Sequence, residues 1–144
     1  MIKNHPRRNA RESVLKALYA YNYLDENPEN VLTKTLDLLS KEKQNDTFFI
    51  NTLYNSVLIN CDMADNIIKK NLENWEFGRI AQLDKILLRM GICEIFFIDD
   101  VPPKASISEM VEISKVYSTE ESPSFINGIL DSVYKDYKKI NKSL

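Results

Sequence analysis

Three arginines, Arg7, Arg8 and Arg11, stand within one helical turn near the amino end, and no side chain is better suited to gripping phosphate. The guanidinium group is planar, always charged, and offers a fork of N–H donors that matches two anionic oxygens at once. It also stacks on bases, which suits a splayed RNA strand. Positions 7 and 11 share a face if the segment is helical. The charge is focused. Residues 1 to 11 hold Lys3, Arg7, Arg8 and Arg11 with no acidic residue, hence +4, whereas the whole chain is −2, so residues 12 to 144 carry −6. Positive charge gathered at one end of an acidic body creates a local field that steers a polyanion. Cations at a helix N-terminus oppose the macrodipole, by a few tenths to about 1 kcal/mol each. The same dipole favours phosphate, so arginines and helix act together once an anion arrives. If all three arginines neutralise a phosphate, log affinity against log salt should slope by roughly −2 for a single strand.

A second set of residues lies near the other end. Tyr117 and Phe125 flank a loop and could stack on bases at about 1 to 3 kcal/mol per base. Aromatic side chains at helical spacing ordinarily pack inward, and the residues alone favour that reading. Gly128, in mid-helix, sacrifices up to about 1 kcal/mol relative to alanine, which predicts close approach of a neighbouring helix there.

Catalytic patterns do poorly. Glu109 and Glu112 stand three apart, but the Glu-x-x-His partners of a helical di-metal site are missing. The single histidine, His5, is remote from Cys61 and Cys93, so a zinc ligand set falls short. Serines such as Ser106 and Ser122 have no histidine base, and neither a P-loop nor a G-x-G-x-x-G occurs. Glu94, inside an apolar run, reads as a buried carboxylate paired with an arginine rather than as a general acid. A non-catalytic protein without metal or cofactor is expected.

The elements that must hold these residues are helical almost throughout. Ala10, Val14, Ala17, Leu18 and Tyr21 recur at spacings of three and four and predict a first helix over about 8–24. Pro28 opens a second helix to about 42, and Lys41 to Asp46 reads as an exposed connection. Phe49, Leu53, Val57 and Asn60 mark a third helix. Asp62 is a candidate cap for a fourth, which leads into Trp75 and the loop around Gly78. From Arg79 to Ile98 apolar residues occupy most faces, so this fifth helix belongs at the centre. Pro102 and Pro103 break it, and Ser106 with Glu109 matches a capping box for a sixth helix ending at Tyr117. The seventh starts at Ser122 and Pro123, and its lysine-rich end, Lys135 to Lys142, reads as a fraying tail. No segment alternates in the manner of a strand. The expectation is one all-α domain over 1–144, with a hinge at Trp75 to Gly78.

Composition agrees with that outline. At 144 residues, with 44% apolar and 28% charged residues and three glycines, the chain suits one globular domain that buries roughly two-thirds of its unfolded surface. The longest apolar run, Ile92 to Ile98, contains Glu94 and is far shorter than the roughly 20 residues of a membrane span. The first ten residues are polar and basic and lack a signal-peptide pattern. A cytoplasmic, membrane-free protein with reduced cysteines is expected.

Read together, RRNAR followed by ALY, then LENWEFGRIAQLDKILLRMGICEI, then DVPPKASISEMVEISKVYSTEESPSFINGILD resemble, in order and spacing, the bacterial transcription antitermination factor family NusB. The resemblance implies an all-α fold of seven helices in two packed bundles, here about 1–76 and 77–144. It implies a factor that, with NusE, a small-subunit ribosomal protein, binds the boxA element of nascent ribosomal RNA and promotes read-through by RNA polymerase in an antitermination complex. The family's RNA-binding positions fall on Arg7, Arg8, Arg11, Tyr117, Glu121 and Phe125, which reverses the inward reading of the two aromatics. Asp84 and Arg89 match its D-x-x-x-x-R, and the resemblance puts them in the neighbourhood of the NusE and RNA boundary, as partner-binding positions. Departures from the family pattern are Asn9 within the arginine run, Asn71 where a tyrosine is common, Ser108 and Met110, and Ser124 where a basic residue is common. The rival is a helical adaptor or homodimer that binds protein and not RNA.

Overall fold

The computed structural model describes residues 6–39, 46–73 and 76–142. Lys3, His5, most of the 41–46 connection and Trp75 lie outside the described residues. Among the described residues there are seven α-helices and no strand: α1 (Pro6–Tyr21), α2 (Pro28–Leu39), α3 (Thr47–Ile59), α4 (Cys61–Lys70), α5 (Gln82–Phe97), α6 (Pro103–Tyr117) and α7 (Ser122–Lys142). A single 3-10 turn, Phe77–Arg79, precedes α5. The all-α expectation holds.

Two compact units divide the chain between Asn55 and Ser56. The sequence reading drew its line near residue 76, at the glycine loop. Contacts put α4 with the later helices, because it packs on α5 and α7.

In the first unit α1 packs on α2, and the buried side chains are Ala10, Val14, Leu15, Ala17 and Leu18 of α1, Val31 and Leu32 of α2, and Phe49, Ile50, Leu53 and Tyr54 of α3. Local chemistry starts each helix. The Asn27 side chain accepts the N–H of Glu29 at 2.8 Å, with Pro28 at the first helical position where its lost donor is harmless. Asp46 does the same for α3, taking the Phe49 N–H at 3.1 Å. Tyr54 donates its hydroxyl to the Pro28 carbonyl at 2.8 Å and so ties α3 to the start of α2.

In the second unit α5 is the centre, packed on α4, α6 and α7. Buried residues occur on all its faces, including Ile86, Leu87, Leu88, Met90, Ile92, Cys93 and Ile95, as expected of a helix apolar all round. Each such side chain contributes roughly 1.5–3 kcal/mol when fully buried. Glu94 is also fully buried, and its carboxylate accepts the Ser106 hydroxyl at 2.7 Å. Ser106, turned towards Glu94, does not open α6. The helix begins at Pro103, with Pro102 in extended backbone before it, because paired prolines set a start that a serine three residues later cannot override. Asp62 likewise lies in the first turn of α4 and is not its cap, since Asn60 occupies that position without a side-chain bond. The lysine-rich end of α7 continues as regular helix to Lys142, supported by Lys135 reaching Asp131 one turn back at 3.3 Å.

Gly128 does not receive a neighbouring helix. A Cβ there would meet nothing within 4 Å, whereas at Gly91 it would fall 2.6 Å from Leu130 Cδ1. The close approach that glycine permits is between α5 and α7, at Gly91.

Candidate nucleic-acid interface

The arginines of α1 gather on one aromatic ring. Arg7 places its guanidinium carbon 4.4 Å from the centroid of Phe49, and Arg11 lies 5.1 Å from the same ring, as the i, i+4 spacing requires. Arg7 also donates from Nε to Asp46 Oδ2 at 3.3 Å. Asp46 therefore caps α3 with one oxygen and orients an arginine with the other. The two arginines differ in access. Arg7 and Arg8 are half-buried, while Arg11 is 3% exposed, so Arg11 presents little surface to a phosphate and packs against Phe49.

A cleft in the second unit brings together Asp84, Glu121 and Phe125, with Arg79, Ile80, Ala81, Thr119 and Ser122 completing its wall. Its volume is about 180 Å³, below the roughly 300 Å³ at which small-molecule pockets begin. It suits the edge of a flat group, not an engulfed ligand. Phe125 is half-buried and Glu121 exposed. Tyr117, half-buried at the end of α6, is not part of the cleft wall, although the same short loop joins it to Glu121.

Asp84 builds that loop. It is 6% exposed and takes the Ser118 hydroxyl on Oδ1 at 2.7 Å and the Ser122 hydroxyl on Oδ2 at 2.8 Å. Ser122 Oγ in turn accepts the Thr119 N–H at 3.2 Å and stands 2.9 Å from Thr119 Oγ1. A hydroxyl has one proton to give, so with Ser122 donating to Asp84, Thr119 donates to Ser122. The end of α6 and the start of α7 are thus pinned to the first turn of α5, where a carboxylate also complements the helix dipole.

Arg89 makes a two-pronged pair with Asp65, Nε to Oδ1 at 2.7 Å and a terminal nitrogen to Oδ2 at 3.1 Å, with both side chains less than a fifth exposed. Burial lowers the Arg89 pKa, but the hydrogen bond and charge of Asp65 outweigh it and hold the pKa above the ordinary value. The pair joins α5 to α4. Asn71, at the end of α4, accepts the Ser132 hydroxyl of α7 at 2.5 Å and is committed to packing. Neither cysteine is in a disulfide; burial raises the Cys61 thiol and pushes Cys93 up to about 11. Among the described residues no cluster of three metal-ligating side chains occurs, and no helix is long and apolar enough to cross a membrane.

Sequence reasoning missed Arg79 and the serine–threonine set around Asp84. Arg79 sits in a glycine-containing loop, and a cation there was a usable signal. The serines carried none, because hydroxyls gain meaning only when a carboxylate distant in sequence reaches them.

Seven α-helices among the described residues, with two small surfaces that carry arginine, aromatic and hydroxyl groups, define an all-helical protein. The chain belongs to the NusB family, whose model matches residues 8–135. It is 42% identical to the transcription antitermination protein NusB of Chloroherpeton thalassium over 92% of this chain and 63% of that protein, so it spans less than two-thirds of that relative's length. NusB of T. maritima superposes with a TM-score of 0.80 at 33% identity, covering 92% of this chain and 93% of the other. A complex described as antitermination factors NusB and NusE with dsRNA contains a chain that matches with a TM-score of 0.81, over 91% of this chain and 97% of that one. At 24% identity that last likeness speaks for the fold alone.

Proposed function

We propose that this chain is an RNA-binding transcription antitermination factor that acts with the ribosomal protein NusE on the boxA element of nascent ribosomal RNA, within an antitermination complex of RNA polymerase. It works by binding and not by catalysis. Family membership supports the activity, and the observation that supports the site is the cleft in which Asp84, Glu121 and Phe125 meet. Arg7 and Arg8 grip phosphate, Arg11 steadies the Phe49 ring beneath them, and Phe125 and Tyr117 offer flat faces to bases. Glu121, at the rim, accepts hydrogen bonds from base amino groups. Asp84 and Arg89 shape the neighbourhood of the protein partner through the bonds they make inside the chain. The 1–144 region acts as a single RNA-binding domain.

Exposed Phe48 and Leu38, 82% and 84% accessible in the first unit, favour a protein partner as well, and a homodimer or adaptor is the competing reading. Titration of labelled boxA RNA and a scrambled control, with and without NusE, separates them. The expected result is tighter binding of boxA, strengthened by NusE; equal indifference to both RNAs would overturn RNA binding and leave the adaptor reading.

A further inference from the structure

Two lysines from different helices converge on one ring in the second unit. Lys69, in the last turn of α4, holds its ammonium group 5.0 Å from the centroid of Phe77, and Lys85, near the start of α5, holds its own at 4.6 Å. The ring's electron-rich face accounts for the docking of each cation. It leaves both ammonium charges in place, and each of them attracts an anion. Lys69 is favoured by the dipole at the end of α4, but Lys85 is opposed by the dipole at the start of α5. Phe77 and Lys85 are half-buried and Lys69 is exposed, so the charges stand at the surface.

The ring belongs to the 3-10 turn Phe77–Arg79, whose last residue lines the Phe125 cleft. Arg79 has a 78% exposed side chain, and its 3.8 Å pairing with Glu76, itself 82% exposed, is too solvated to hold it. Asp84, which precedes Lys85, lines the same cleft. One turn therefore sets a guanidinium on the cleft and an aromatic seat for two ammonium groups beside it.

We propose that Arg79, Lys69 and Lys85 form a second phosphate-binding strip, which holds the sugar–phosphate backbone of a single RNA strand where it leaves the Phe125 cleft. This rests on the RNA-binding reading above. Ammonium groups act as point charges without the geometry to read base edges, so the strip contributes affinity and register but no sequence preference. An acidic protein segment is the alternative occupant, and continuity with the cleft that holds Phe125 argues for nucleic acid.

The test is fluorescence anisotropy on labelled single-stranded boxA and scrambled RNAs between 50 and 200 mM salt, with wild type, K69Q/K85Q, K69R/K85R, R79Q and R7A/R8A in parallel. K69Q/K85Q should flatten the slope of log affinity against log salt by about 1.4, R79Q by about 0.7, and both RNAs should be affected alike. K69R/K85R should keep the wild-type slope, and melting temperatures should stay level. Should K69Q/K85Q melt early, the single R79Q variant carries the same decision. An unchanged slope in K69Q/K85Q and R79Q, with R7A/R8A impaired, overturns the strip and leaves the proposed function standing. Wild-type protein that binds neither RNA in a salt-dependent way overturns both. Retained RNA binding with lost binding of a poly-glutamate peptide assigns the lysines to a protein partner instead.

Discussion

Each oxygen of the Asp84 carboxylate accepts a hydrogen bond from a different serine, and both serines sit where α6 hands over to α7. Hydrogen bonds to a buried charge are worth more than neutral ones, so Asp84→Ala should lower stability by about 2–3 kcal/mol. Urea denaturation measures this, and Ser122→Ala should reproduce part of the loss. RNA affinity should fall with it, because Glu121 and Phe125 depend on the loop. At the other site, R7A/R8A should flatten the salt slope by about 1.4, with some loss of melting temperature because Arg7 pairs with Asp46 and rests on Phe49. Arg11→Ala is expected to differ: a side chain 3% exposed over Phe49 supports packing, and its removal should show first in the melting temperature. A substitution of all three arginines would therefore mix binding with stability.

At the scale of elements, α5 and α7 carry two glycines with opposite meanings. Gly91 lets α7 approach so closely that an added methyl would collide with Leu130, itself fully buried. Gly91→Ala should destabilise by about 1–3 kcal/mol, the usual result of overpacking. Gly128 faces open space, so Gly128→Ala should stabilise by up to about 1 kcal/mol through helix propensity. Paired denaturation curves test both. The bare backbone at Gly128 follows Phe125 by one turn of α7, on the same helical face. If an RNA strand or protein partner presses against that face, the more stable Gly128→Ala variant will bind more weakly.

For the whole molecule, charge and pH response are the measurable properties. A net charge of −2 means that any polyanion binding comes from local groups. With Arg7 and Arg8 alone, a fourfold rise in salt should weaken single-strand binding about sevenfold; with the Arg79, Lys69 and Lys85 strip added, about a hundredfold. The alkaline response has a definite sign. Burial pushes Tyr54 in the first unit up to about 12 and Cys93 in the second up to about 11, from ordinary values of 10 and 9. Both groups keep their protons more tightly when folded, so their contribution is complete below pH 9 and is lost as pH rises from 9 towards 12. Melting temperatures measured across that range should fall, and Cys93→Ala should remove part of the portion that begins lowest, which Cys61 shares.

The helical class, the order of seven helices and the central place of α5 were legible in sequence because they rest on periodicity and proline position, which act locally. The arginine cluster and the i, i+4 pairing of Arg7 with Arg11 were legible for the same reason. What only the tertiary structure decided were the pairings between distant residues: Asp84 with Ser118 and Ser122, Arg89 with Asp65, Glu94 with Ser106, and Lys69 and Lys85 with Phe77. Burial was decided there too, turning Arg11 inward and leaving Gly128 open. Local preference depends on neighbours within a turn or two of chain, whereas the partner of a buried polar group depends on which helices pack together. No spacing rule carries that information.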